Sequence, residues 1–189
     1  MPIPRRVVLD ACVLYPPSLR DLLLSLAALD AYDVVWSELI LAEVERNILA
    51  DHPDIDPSRF RLHTIGAMRA AFPEALVEPR PADNLEGVDP GDRHVVGAAL
   101  AADADAIVTI NVRHFPTASL SPVGISVVTP GDLVTMLDDT EPALIDRALE
   151  HMSARWRNPP RTVDAVVELL AVHPTMAPAV AQIGRRRHG

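Results

Sequence analysis

Short continuous apolar runs alternate with longer stretches of helical periodicity along most of the chain. The run Arg5-Arg-Val-Val-Leu-Asp10 is apolar without alternation and ends in a carboxylate, which predicts a strand buried on both faces. After Pro16 and Pro17, Leu19, Leu22, Leu23, Leu26 and Leu29 recur at helical spacing, with Ser18 as the expected N-cap. Asp33-Val-Val-Trp36 predicts a second strand. Ser37 then caps a helix whose apolar positions Leu39, Ile40, Val44 and Ile48 leave Glu43 beside that face. Asp56-Pro57 predicts the start of a third helix running toward Phe72, proline being favourable at the first helical position. From Pro73 to Gly91 the chain reads as loop, apart from a short strand at Ala75 to Val77. Helix returns at Asp92, followed by strands at Ala106 to Thr109 and Ile125 to Val128, and by a short helix opened by Thr129-Pro130-Gly131-Asp132.

Strands alternating with helices, each connection long enough for a crossover, predict an α/β fold with a parallel sheet. Beyond Glu141 the pattern is helical only. Leu144, Ile145, Ala148 and Met152 form one stripe and Val163, Val166, Val167 and Leu170 another, with Asn158-Pro159-Pro160 between them. This predicts a domain over residues 1–138 and a helical extension over 139–189, ending in the polar tail Arg185-Arg-Arg187.

Composition then removes whole reaction classes. The chain has 189 residues, and all 17 of its basic side chains are arginine. Without lysine there is no P-loop phosphate ligand and no amine for a Schiff base. A single cysteine, Cys12, excludes an internal disulfide and a cysteine-rich zinc cluster. No signal-peptide apolar region follows Arg5 and Arg6, and no window reaches the roughly 20 apolar residues of a membrane span, so a soluble cytoplasmic protein is expected. A net charge of -9 argues against nucleic-acid affinity over the whole surface, yet it suits a carboxylate cluster that holds a cation.

Ligands of parallel sheets bind at the carboxyl ends of strands. Asp10 ends the first predicted strand, Glu43 lies on the helix after the second, Asp92 opens a helix, and Thr109, Asn111 and His114 follow the strand at Ala106. Three carboxylates brought to one sheet edge cannot all stay ionised without a cation, and oxygen donors suit Mg2+ or Mn2+ better than zinc. Such an ion is suited to water attack on a phosphodiester.

Four stretches carry a family resemblance: Val7-Val-Leu-Asp10-Ala-Cys-Val-Leu14, Trp36-Ser-Glu-Leu-Ile-Leu-Ala-Glu43, Asp89-Pro-Gly-Asp92-Arg-His-Val-Val-Gly-Ala-Ala99 and Ile107-Val-Thr109-Ile-Asn111-Val-Arg-His114-Phe115-Pro. In order and separation they resemble PIN-domain ribonucleases, closest to the VapC-type toxins of bacterial toxin-antitoxin pairs, over roughly residues 5 to 135. The resemblance implies a three-layer α/β/α fold and a metal-dependent endoribonuclease. It makes Asp10, Glu43 and Asp92 the catalytic, Mg2+- or Mn2+-binding residues, with Asp89 and Thr109 supporting them. It also implies an RNA substrate, a cognate antitoxin and a homodimer. Asn111 stands where the family often has a fourth Asp, so Asn111 and His114 compete for that position. Cys12 stands where the family often has Asp, Asn or Ser. Arg93 and Arg113 flank the acids and offer bidentate donors for RNA phosphates.

Plainer readings stand beside these. Asp10 and Asp92 could simply cap the turns that follow them, and Glu43 could be a solvated helix residue like Glu45. His94 reads as structural, Cys12 as a small apolar residue, Trp36 and Phe115 as core. At the level of function, Asn111 and Cys12 favour an alternative, a PIN-like RNA- or partner-binding module with little or no turnover. An aspartyl-nucleophile phosphohydrolase at Asp10 is disfavoured by Cys12 two positions on and by the missing lysine.

Overall fold

The computed structural model describes residues 3–82, 85–157 and 159–188. The first half runs β1 (Arg6–Leu9), α1 (Ala11–Leu14), α2 (Pro17–Ala28), β2 (Asp33–Val35) and α3 (Glu38–Asp51). Next come α4 (Pro57–Phe60), a π-helical turn (Arg61–Ile65) and α5 (Gly66–Ala71). A 3-10 turn (Pro90–Asp92) leads into α6 (Arg93–Ala102) and β3 (Ala106–Val108). A second 3-10 turn (Val112–His114) precedes α7 (Thr117–Leu120) and β4 (Ser126–Val128). The chain closes with α8 (Pro130–Thr140), α9 (Pro142–Arg155), α10 (Val163–Ala171) and α11 (Ala177–His188).

The four strands form one parallel sheet in the order β2-β1-β3-β4. The predicted apolar runs are buried because β1 and β3 are both interior strands. The chain winds from β1 to β2 on one side, then crosses back to β3 on the other, so strand order reverses between β1 and β3. Right-handed crossovers of opposite direction put helices on both faces. On one face α6 lies against β1, β2 and β3 with α3 packed on it; α2, backed by α9, covers the other. The ladders run one residue past the strands: Asp10 N–H donates to Val108 O at 3.1 Å and Thr109 N–H to Val128 O at 3.0 Å. Both side chains are thereby held at the reversal point.

Close approach explains Gly97 in the middle of α6. Arg80 N–H donates to Gly97 O at 3.0 Å, and a Cβ on Gly97 would lie 2.3 Å from Arg80 O. That contact draws the loop before the Pro90–Asp92 turn onto α6.

Several local expectations change. The Ala75 to Val77 strand is reduced to a single parallel bridge, Trp36 to Leu76. Helix α2 begins at Pro17 with Pro16 at the N-cap, and Ser18 instead faces His173, Oγ to Nε2 2.9 Å. Proline's fixed φ suits the first helical position, so no polar cap is required there. Ser37, Asp56 and Thr129 cap as expected, Thr129 with a full capping box. Glu45 is held by Arg61 at 2.7 Å. Trp36 and Phe115 are fully buried.

The C-terminal helices contribute Leu144, Ile145, Ala148, Leu149, Met152, Val166 and Leu170 to the same hydrophobic cluster as the sheet. Asn158, in the proposed break between them, lies outside the described residues. The arginine tail is helical. Arg186 reaches Asp138 at 2.9 Å and Asp146 at 2.6 Å, and Arg187 reaches Asp146 at 3.0 Å. Among the described residues no single helix is long and apolar enough to cross a membrane.

Candidate active site

Asp10 and Asp92 occupy the N-cap positions of α1 and α6, yet neither carboxylate caps its helix. An N-cap aspartate ordinarily accepts an N–H from the first turn, so a stronger or better-placed donor must have drawn each one away. For Asp10 the donors are Thr109, Oγ1 to Oδ2 2.6 Å, and the Cys12 thiol, Sγ to Oδ2 3.0 Å. For Asp92 the partner is His114, Nδ1 to Oδ2 2.7 Å. The capping reading of both aspartates is therefore overturned for their side chains, although their backbones still begin the helices.

Glu43 projects from the second turn of α3 toward the same place. His94 lies across from it, Nε2 to Oε2 3.4 Å, while His94 Nδ1 is 2.9 Å from Gly91 O. Burial raises the Glu43 carboxyl above its ordinary range, and the negative charges of Asp10 and Asp92 push the same way against His94 and Arg46. Burial likewise raises Asp92. There the His114 hydrogen bond opposes it, and Asp10 and Asp89 add to the rise. Each shift has other site carboxylates among its causes, which means that Asp10, Glu43 and Asp92 share one electrostatic neighbourhood. The groups come from β1, α3 and α6, three elements that meet only because of the strand order.

Asp89 joins this cluster from the side. Its Oδ1 accepts Gly91 N–H at 2.8 Å, and ligand atoms of Asp89, Asp92 and His114 all lie within 4.8 Å of one another. Asn111 contributes backbone: its N–H donates to Thr109 Oγ1 at 2.9 Å and its carbonyl accepts His114 N–H at 2.8 Å. Thr109 thus receives one hydrogen bond and passes its own proton to Asp10. Arg113 Nε donates to His114 Nε2 at 3.3 Å, and Arg93 begins α6 directly after Asp92.

Two residues read as inert are part of the site. Cys12 is half-buried, and burial together with Asp10 pushes its thiol up to about 12, so it stays protonated and donates. His94 faces Glu43 rather than serving only the fold. A polar residue at i+2 from Asp10 and another at i+2 from Asp92 were the available signals for them. Glu43 and Asp92, both of raised proton affinity, form with Asp10 a donor set that fits a hard divalent cation such as Mg2+ or Mn2+, because bound positive charge would relieve their repulsion. Two surface cavities, of about 660 and 580 Å3, lie elsewhere, one at Arg6, Asp33 and Phe72 and one between α2 and α5. Neither is lined by Asp10, Glu43 or Asp92.

A doubly wound parallel sheet with acids converging at the carboxyl ends of its strands defines the class, and the comparison with known families agrees. Residues 6–113 match the PIN domain family, to which the chain belongs. Among curated proteins the chain is 38% identical over 80 residues to "Putative ribonuclease VapC50" of Mycobacterium tuberculosis (strain ATCC 25618 / H37Rv). That match covers 42% of this chain and 47% of the relative, so it spans about half the relative's length. No solved structure matches the chain significantly.

Proposed function

We propose that the protein is a metal-dependent endoribonuclease, the toxin of a toxin-antitoxin pair. The observation that carries this reading is the convergence of Asp10, Glu43 and Asp92: the two aspartates do not cap the helices they begin, Glu43 feels the charges of both, and Asp92 feels that of Asp10. The name of the M. tuberculosis relative supports the ribonuclease and VapC parts.

In this reading Asp10, Glu43 and Asp92 hold Mg2+ or Mn2+, and Asn111 and His114 are the candidates for a fourth protein ligand. When bound, the ion supplies activation of water and neutralisation of charge at the phosphodiester. The protein's own groups do the rest. Thr109 and Cys12 orient Asp10 by donating to one oxygen, leaving Oδ1 without a hydrogen bond among the described residues. Arg93 and Arg113 stand beside the acids as phosphate contacts, guanidinium being able to grip two oxygens at once. This provides the anion binding that lysine supplies in other phosphodiester enzymes.

The partners that belong to the reading are RNA, a small cognate antitoxin and a second copy of the chain, in the cytoplasm. The division into a catalytic unit over 1–138 and a helical extension over 139–189 goes with it. The test is cleavage of RNA with Mg2+, with Mn2+ and with chelator, comparing wild type with Asp10→Asn and Asp92→Asn. Loss of cleavage in both variants, with unchanged circular dichroism, supports the reading; metal-independent cleavage or full activity in both variants sinks it. Relief of toxicity by the adjacent reading frame tests the toxin part separately.

A further inference from the structure

We infer that His114 is a positioning residue that holds Asp92 for the cation, and is not itself a ligand. This rests on the metal-site reading above and removes His114 from its two candidates for a fourth ligand.

Arg113 Nε–H can only donate, so His114 Nε2 is the acceptor in their 3.3 Å contact. The proton of the neutral ring is then on Nδ1, which donates it to Asp92 Oδ2 at 2.7 Å. Both nitrogens are thereby engaged, and ligation through either would break a bond the fold has already made.

The backbone makes this arrangement rigid. The turn carrying His114 is closed by His114 N–H to Asn111 O at 2.8 Å, and the next residue, Phe115, is anchored in the core. The turn carrying Asp92 is closed by Asp92 N–H to Asp89 O at 2.9 Å. Asp89 N–H donates to His114 O at 3.1 Å and stitches the two turns together. Ring and carboxylate are thus carried on one bonded unit.

The result repeats what is seen at Asp10. There, Thr109 and Cys12 both take Oδ2 and, among the described residues, leave Oδ1 open. At Asp92 the histidine takes Oδ2, the first-turn N–H groups of α6 take neither oxygen, and among the described residues Oδ1 is left for a cation. Hydrogen-bonded support of a ligating carboxylate is commonly worth 10- to 100-fold in metal affinity.

The experiment compares His114→Asn, His114→Gln and His114→Ala in the full chain, with Mn2+ and Mg2+ titrated directly by calorimetry and folding followed by circular dichroism. The amide nitrogen of Asn stands near Nδ1, whereas that of Gln stands near Nε2. Expected are a loss of about 10- to 100-fold in Mn2+ affinity for the Ala and Gln variants and near wild-type affinity for Asn, with the Mn2+ to Mg2+ preference unchanged in all. Unchanged affinity in the Ala variant overturns the inference. So does a preference shifted toward Mg2+ together with failure of Asn to rescue, which is the behaviour of a lost nitrogen ligand. Should the Ala variant unfold, the Asn and Gln pair decides alone. Asp92→Asn is the control: if it keeps wild-type Mn2+ affinity, the metal-site reading itself fails, whereas its loss beside unaffected His114 variants removes only the positioning role.

Discussion

Thr109 donates its hydroxyl proton to the buried carboxylate of Asp10 at 2.6 Å, joining the ends of two adjacent parallel strands. The same hydroxyl accepts Asn111 N–H at 2.9 Å and has Cys12 Sγ 3.3 Å away, so it links three groups at the site. Thr109→Val keeps the shape and removes the donor. It should destabilise the protein by about 1–3 kcal/mol, the range for a lost bond to a buried charged group, read from urea unfolding at neutral pH. The loss should shrink in Asp10→Asn, where the buried charge is gone; additive effects in the double variant would contradict the pairing.

The raised carboxyls of Glu43 and Asp92 give stability a definite pH dependence. Above their ordinary range and below their folded values, the native state holds more protons than the unfolded one. Their contribution is therefore fully present at acid pH and is lost as pH rises through the raised values. Asp146 has the opposite sign, its carboxyl being held down first by the Arg186 hydrogen bond. Comparing wild type with Glu43→Gln isolates the site. In the metal-free proteins the variant should gain in relative Tm as pH rises above the ordinary carboxylate range, and saturating Mn2+ should reverse that gain. A pH-independent difference would argue against the electrostatic coupling.

Cys12 should be unreactive. With its thiol pushed up to about 12, almost no thiolate exists at neutral pH, and thiolate is the nucleophile. Iodoacetamide should modify the native protein far more slowly than the urea-unfolded one, followed by intact mass. Rapid native alkylation would mean that the thiol does not donate to Asp10.

At the other end of the chain, Arg186 is the partner of Asp138, whose side chain is only 2% exposed. Arg186→Ala leaves that carboxylate with Gln182, Nε2 to Oδ2 3.0 Å, and should cost about 3 kcal/mol. Asp138→Asn in the same background should recover part of the loss, because the remaining group is neutral. An Arg186→Ala protein as stable as wild type would contradict the structural role of this pair.

The strands, the helices after them and the acids at their junctions are all readable from residue order. The signals are local: continuous apolar runs for β1 and β3, helical spacing for α2 and α3, Ser37 and Thr129 at helix starts. The expected strand at Ala75 to Val77 failed because pairing needs a neighbour in register, and only Leu76 meets one. The arginine tail's role is not legible in the sequence because its partners, Asp138 and Asp146, lie 48 and 40 residues earlier in the chain.

At the site the division follows the same physics. The identity and order of Asp10, Glu43, Asp92 and Thr109 are properties of the chain, and so is the helix-capping alternative for two of them. Which alternative wins is a competition between N–H groups a few positions away and donors brought from far along the chain, 99 positions away for Thr109 and 22 for His114. Folding alone brings those donors within reach. It turned Cys12 into a donor and placed His94 opposite Glu43, because a parallel sheet that reverses its strand order gathers its loops at one edge.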